Sequence, residues 1–375
     1  MAAAVPYARE RLIAELAVQR ASLLTKRVSQ TFAANSELSK SDASPVTIAD
    51  FAAQALLISA IHAAFPADTF VGEEDSAELR RDPQLAQQVW ELVSHSHSHH
   101  LEDAWSDGDN DALLSRPATI EEMFDVIDLG GHGLGGRTGR FWALDPIDGT
   151  AAFIKGQQYA VSLALIEDGR EVVGVVGCPN LLYADAAAAA AGAKVEETSV
   201  DADGLGAMLS AVRGQGAVVR PMRRRGGLVP LEQAQVINKL LGGGHDVPAV
   251  ELKDVHLIDS KVTTKGRQLA DEVGVAYPGT QLYSSHMRYV ALILGGRGHV
   301  QVRFPKAGQT SYIWDHAGAQ LIYTETGMGK VTDLYGEEID FGRGRQLDGN
   351  WGVIAADESV HGKILDLVRK LDVGG

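Results

Sequence analysis

Three short acidic segments hold carboxylates in settings that ordinary surface charge does not require. Glu73 and Glu74 directly follow the apolar run Thr69–Gly72. Asp145 and Asp148 flank Pro146-Ile147, follow the apolar run from Arg140 to Leu144, and lead into Gly149-Thr150. Asp315 sits in Trp314-Asp315-His316-Ala317-Gly318, which opens a further apolar segment. Carboxylates at the ends of strands, pinned by Pro and Gly, suit a ligand cleft. A tight turn through Pro146 aims Asp145, Asp148 and the carbonyl between them at one point, and hard cations such as Mg²⁺ take oxygen ligands of this kind. Two carboxylates forced together repel, and a bound cation relieves that repulsion. Thr150 offers a hydroxyl close by.

The elements that must carry these residues follow from periodicity. Tyr7 to Ala34 reads as a helix, with Leu12, Ile13, Leu16, Leu23, Leu24, Val28 and Phe32 at helical spacing. A second helix is expected from an N-cap at Thr47, with Asp50 completing a variant capping box, and Pro66 closing it. Thr69–Gly72 and Arg140–Leu144 read as strands. Tyr159 to Pro179 reads as two strands joined by a hairpin at Asp168-Gly169. Ala211 to Val219 reads as one further strand. Residues 80–130 read as a polar insertion with some helix around Leu85–Val93, and Ala184 to Ala193 as an alanine-rich helix or loop. Arg223-Arg224-Arg225-Gly226-Gly227 is a basic, glycine-containing loop suited to a domain junction. Beyond it, Val255–Asp259, Tyr289–Leu294, His299–Phe304, Trp314–Thr324 and Val331–Leu334 suggest alternating strands and helices. No internal repeat is present.

Composition bounds the function. With 375 residues, the chain is long enough for two or three domains. It carries 34 Lys and Arg against 49 Asp and Glu, a net −15, which argues against a nucleic-acid polymer as partner. No apolar run suggests a membrane span, and the first residues lack a secretory pattern. A single cysteine, Cys178, excludes an internal disulfide and a cysteine-based zinc cluster. A reducing, cytoplasmic setting is the expectation.

Asp145-Pro146-Ile147-Asp148-Gly149-Thr150 and Trp314-Asp315-His316-Ala317-Gly318 resemble the two signatures of the inositol monophosphatase superfamily of metal-dependent, lithium-sensitive phosphatases, with Gly72-Glu73-Glu74 similar to its third metal-binding element. Within it, the chain resembles the fungal and plant 3'(2'),5'-bisphosphate nucleotidases. That rests on Ser44-Pro45-Val46-Thr47-Ile48-Ala49-Asp50, Gly139-Arg140-Phe141-Trp142, Tyr159 to Leu165, Gly177-Cys178-Pro179-Asn180 and Ala211 to Gly216.

The resemblance implies a two-domain, layered αβαβα sandwich, of α/β or α+β class. Residues 1–222 would carry most metal ligands, and residues 223–375 would carry Asp315 and substrate-binding residues. It implies that Glu73, Asp145, Asp148, Asp315 and the carbonyl of Ile147 bind two or three Mg²⁺ ions. Thr150 would hold the attacking water and Asp50 would act as general base. Thr150, Ser285, Arg288, Arg303 and Asp315 would contact substrate. The implied substrate is adenosine 3',5'-bisphosphate, cleaved to AMP and phosphate with inhibition by Li⁺. Its 5'-phosphosulfate analogue is a further candidate, and the protein would be a monomer or homodimer.

Some positions depart from the nucleotidase pattern. Where those enzymes have Asp-Ser-Gln-x-Lys-Tyr, this chain has Ser284-Ser285-His286-Met287-Arg288-Tyr289, and Arg keeps the charge of Lys but changes donor geometry. Val262 falls where the family has a nucleotide-binding His, and Ala151-Ala152 replaces Lys-Gly. The alternatives are therefore a phosphatase of the same superfamily acting on an inositol phosphate, a sugar phosphate or another small phosphoester, and a non-catalytic binder or sensor of small anions.

Weaker features read as ordinary structure. Gly131 to Gly136 contains a GxGxxG match, but it precedes a strand rather than opening a helix, opposite to a dinucleotide fold. His95, His97, His99 and His100 read as a solvated loop, and Arg223–Arg225 as a solvated basic run. Cys178 reads as a buried strand residue with nothing near it to lower its pKa.

Overall fold

A computed structural model describes residues 5–34, 45–96, 113–182, 194–225, 227–237, 248–306 and 308–371. The alanine-rich run, His97, His99, His100 and Gly226 lie outside the described residues.

The first part of the chain runs α1 (Ala8–Ala34), α2 (Pro45–Ala64), β1 (Thr69–Gly72), α3 (Ala77–Arg81), α4 (Pro83–Ser94), α5 (Ile120–Gly131), β2 (Arg140–Asp148), α6 (Thr150–Ile154), β3 (Ala160–Glu167), β4 (Arg170–Cys178), β5 (Ala207–Val212), β6 (Ala217–Pro221) and β7 (Gln235–Val236). The second part runs β8 (His256–Asp259), α7 (Thr264–Val273), β9 (Thr280–Gln281), α8 (Ser285–Gly295), β10 (His299–Arg303), α9 (Ala317–Glu325), β11 (Gly329–Thr332), β12 (Val353–Asp357) and α10 (Glu358–Lys370).

β1 to β7 form one sheet in sequence order, with β1 parallel to β2 and the remaining pairs antiparallel. The second sheet has the order β11-β12-β10-β8-β9. Alternation along the strands sorts side chains into three cores. Trp142, Leu144, Leu163 and Leu165 face α1, α2, α4 and α5. Phe141, Ala143, Ala164 and Ile166 face the other way, onto α8 and α9, which also cover Ile258, Val353 and Ala355 of the second sheet. Leu257, Val300, Ile354 and Ala356 face α7 and α10. The result is the expected αβαβα sandwich.

Several local expectations are corrected. α2 begins at Pro45, so Thr47 lies inside the helix rather than capping it. Pro needs no N–H at a helix start, which makes Pro45 the better opening residue. By length and composition Val46–Ala64 would span a membrane; in the fold it is a core helix, with most of its residues buried. Residues 80–130 are not merely a polar insertion. α4 is capped by Asp82, whose side chain accepts from the Gln84 and Leu85 amides, and α5 by Thr119, which accepts from the Glu122 amide. Val89, Val93, Met123 and Ile127 are completely buried in the first core.

Residues 211–219 are not one strand. They are the ends of β5 and β6 around a turn whose Gly214 and Gly216 have φ of 76° and 78°. The hairpin at Asp168-Gly169 is as expected, with φ of 50° and 78° at its two turn residues, a geometry suited to tight β-hairpins. β7, past the basic loop at Arg223–Arg225, still belongs to the first sheet. Cys178 is fully buried in β4, and burial pushes its thiol pKa up.

A candidate acidic metal centre

The centre starts from a defect in β2. Asp145 pairs with Ser162 and Asp148 with Ala160, so one residue too many stands on β2. Pro146 has no N–H to give to the ladder, and the resulting bulge re-aims the strand end. Ile147 turns its side chain into the first core, leaving Asp145 and Asp148 to flank it. Gly149 then takes φ 101°, a conformation open to glycine, and Thr150 starts α6.

Asp315 comes from the other half of the molecule, in a short helical turn at Ile313–Asp315 just before α9. Oxygens of Asp145, Asp148 and Asp315 lie within 4.8 Å of one another. Glu73 follows β1, the strand parallel to β2, so both strands end on the same side. The negative charges of Glu73, Asp148, Asp315 and Asp50 all act on Asp145, after burial itself, to raise its pKa well above the carboxylate range. Burial and then Glu74 and Glu73 do the same to Asp50, on α2. Glu73 is open to water on one side yet walled in by protein and by Glu74, Asp315 and Asp148, and is pushed up to about 8. Glu74, by burial and by Asp75 and Glu78, is pushed up to about 7.

Asp145 Oδ1 and Asp50 Oδ1 are buried and have no hydrogen-bond partner. Orphaned carboxylate oxygens among like charges are costly, so this donor set fits an oxygen-seeking cation and lacks the sulfur or nitrogen that softer metals prefer.

Asp148 differs from its neighbours. It accepts from Ser284 Oγ at 2.5 Å, the Ser285 amide at 3.0 Å and the His286 amide at 2.6 Å, all at the start of α8. Ser284 also caps that helix through the Met287 amide. Arg288 is buried and donates to the carbonyls of Leu282 and Tyr283 and to Ser285 Oγ, so it holds the loop before α8 in place. Arg303, at the end of β10, donates from Nη1 to His316 Nε2 at 3.3 Å. With that nitrogen accepting, His316 carries its proton on Nδ1 and donates to Tyr289 Oη at 3.2 Å. Burial, reinforced by the charge of Arg303, keeps His316 neutral. Arg303 in turn opposes the rise that burial and Asp148 impose on Asp315.

The fold therefore brings oxygens of Asp145, Asp148 and Asp315 together, with Glu73 and Asp50 near enough for their charges to act on Asp145 and Arg303 near enough to act on Asp315. Val262 is half-exposed at the approach to α7. His95 bonds back to the Glu91 carbonyl, and Arg224 ties Gln30 to the Gly204 carbonyl. Two residues escaped the sequence reading as parts of this centre. His286 donates from Nε2 to the carbonyl of Trp314 at 2.8 Å, beside Asp315. Arg345 reaches the carbonyl of Gly72, beside Glu73, at 2.7 Å. Neither has a local sequence signal, because the partners lie far away in the chain.

The profile of the Inositol monophosphatase family matches residues 9–372. A 3'(2'),5'-bisphosphate nucleotidase of Emericella nidulans is 40% identical, over 97% of this chain and 99% of its own length. A protein of the same name from Oryza sativa is 33% identical, over 98% and 96%. Among solved structures, inositol monophosphatase-II of Staphylococcus aureus MSSA476 superposes with a TM-score of 0.53 at 16% identity, over 96% of this chain and 94% of that one. The chain belongs to the inositol monophosphatase family.

Proposed function

We propose that this protein is a phosphoric monoester hydrolase that converts adenosine 3',5'-bisphosphate to AMP and phosphate. The observation that carries this reading is the convergence of Asp145, Asp148 and Asp315 from both halves of the fold, with a buried Asp145 oxygen left without a partner. The nucleotide specificity follows from the near-full-length likeness to the nucleotidases.

Glu73, Asp145, Asp148, Asp315 and the Ile147 carbonyl would hold two or three Mg²⁺ ions. Bound there, Mg²⁺ supplies the positive charge that phosphoryl transfer needs at the attacking and leaving oxygens. The chain's own residues do the rest. Thr150 orients a water. Asp50 takes the proton through Thr150. The water oxygen bonds to phosphorus as the bond to the 3' oxygen breaks, and that oxygen takes up a proton from a solvent water to leave as a hydroxyl. Arg303, held by His316, and Ser285, held by Arg288, receive the anionic ends of the substrate. Li⁺ competing for a Mg²⁺ position would slow turnover.

A second reading has one observation in its favour. Arg288 spends its donors on Leu282, Tyr283 and Ser285, which suits a substrate that makes a smaller demand on that position. A panel of adenosine 3',5'-bisphosphate, its 5'-phosphosulfate analogue, inositol monophosphates and sugar phosphates, each with Mg²⁺, separates the two. Preference for the nucleotides supports the first. Activity confined to inositol or sugar phosphates supports the second. Tight binding of the bisphosphate with no turnover of any of them refutes both.

A further inference from the structure

We propose that Arg345 is a positioning residue that holds the two halves of the acidic centre in register. This inference rests on the reading of that centre as a metal site.

Arg345 reaches both halves at once. Its main chain belongs to the second half of the protein. Its carbonyl accepts from the Ile313 amide at 3.0 Å, the Leu347 amide donates to Ser311 at 2.9 Å, and Tyr312 bridges Gln346. The segment that delivers Asp315 is therefore strapped to Arg345. Its side chain crosses to the first half. Nη2 donates to the Gly72 carbonyl at 2.7 Å, and Nη1 donates to the carbonyls of Gly130 and Gly133 at 3.0 Å each. Gly72 is the last residue before Glu73. The guanidinium carbon also lies 4.8 Å from the centre of the Trp314 ring, which stacks on Tyr312 at 4.5 Å. The cation thus spans the residues preceding two carboxylates, Glu73 after β1 and Asp315 in the turn before α9.

The receiving end is shaped for this. A Cβ on Gly133 would stand 1.5 Å from the Phe70 carbonyl oxygen, so the glycine-rich loop closes directly onto β1. That gives the GxGxxG match a structural role. It packs carbonyls around one guanidinium rather than amides around a phosphate. Among the described residues Arg345 has no carboxylate partner in ion-pair range; its donors go to neutral carbonyls. A planar fork with several donors can satisfy three carbonyls at fixed angles, which a lysine ammonium cannot.

The test is Mg²⁺ binding by titration calorimetry to the full-length protein and to Arg345→Met, Arg345→Lys and a distant control, Arg297→Met. Arg297 pairs with Asp357, the last residue of β12 in the second sheet. Melting in chelator establishes that each variant is folded. Met keeps an aliphatic stem against Trp314, and its Mg²⁺ affinity is expected to fall about tenfold or more, as when a group that orients metal ligands is lost. Its kcat falls with substrate KM nearly unchanged, and Lys recovers part of the loss. Arg297→Met is expected to melt earlier with unchanged Mg²⁺ affinity. If folded Arg345→Met binds Mg²⁺ within about twofold of the native protein, a difference well under 1 kcal/mol, the inference is wrong. If Arg345→Met does not fold, Arg345→Lys carries the same criterion. Absence of Mg²⁺ binding by the native protein would instead overturn the metal reading itself.

Discussion

Asp148 Oδ2 lies 2.5 Å from Ser284 Oγ, joining the end of β2 to the N-cap of α8. One carboxylate is thus both a member of the acidic centre and the anion at a helix start, where backbone amides and the helix dipole favour negative charge. Its neighbour Asp145 has no such partners. It is buried, and Oδ1 is unpaired. The two aspartates of one turn therefore have opposite effects on the metal-free fold.

Replacing them separates these effects. In chelator, Asp148→Asn is expected to lose about 1–3 kcal/mol of stability, because charge-assisted bonds to Ser284, Ser285 and His286 are weakened. Asp145→Asn is expected to gain about 1–3 kcal/mol, because the carboxyl is held in the folded state at a pKa raised above its unfolded value, a cost borne at neutral pH. Denaturant melts of the two variants check this. Equal destabilisation by both would contradict it.

Mg²⁺ should reverse the order. The native protein gains stability as Mg²⁺ is added, by about 2.7 kcal/mol at a hundred times the dissociation constant. Asp145→Asn gains much less. Thermal melts across a Mg²⁺ series, with Ca²⁺ and Zn²⁺ as comparisons, supply the measurement.

Gly318 explains the glycine that ends the Asp315 segment. A Cβ on Gly174 of β4 would stand 2.5 Å from the Gly318 carbonyl oxygen, and one on Gly318 would stand 2.7 Å from Ser162 Oγ. α9 therefore lies flush against the first sheet, and Asp315 is carried to the β2 bulge by that contact. Gly318→Ala is expected to cost about 2 kcal/mol through overpacking and to lower activity through displacement of Asp315. A melt alongside a rate measurement would show both or refute the link.

Acid should loosen the second half. His361 of α10 is buried against Thr332, with Nε2 at 3.1 Å from Thr332 Oγ1, and burial lowers its pKa to about 4. Burial also lowers His299, beside His256, to about 4. A base whose folded pKa is depressed gives full stability above its unfolded value, near 6.5, and loses it as pH falls toward 4. Between pH 7 and 5 the loss from His361 is on the order of 1–2 kcal/mol. His361→Gln should flatten the pH dependence of the melting temperature over that range. An unchanged slope would count against this assignment.

Much of this was legible in the sequence because the signals are local. Asp168-Gly169 marks its own hairpin, and Pro146 and Gly149 mark the bulge between two aspartates. What escaped was set by distant partners. The turn between β5 and β6 is fixed by Glu325, whose carboxylate accepts from the Gly214 and Gly216 amides. α5 announces itself only by Met123 and Ile127 within an acidic, glycine-ended stretch, and it forms because α2 needs a cover. His286 and Arg345 join the centre through carbonyls contributed far along the chain.

The most direct test is product analysis after incubating adenosine 3',5'-bisphosphate with the native protein and Mg²⁺, with and without Li⁺, beside Asp145→Ala. The account predicts AMP and phosphate in equal amounts, suppression by Li⁺, and a loss of roughly a thousandfold or more in Asp145→Ala. Release of the 5'-phosphate instead, or turnover that survives in Asp145→Ala, would contradict it.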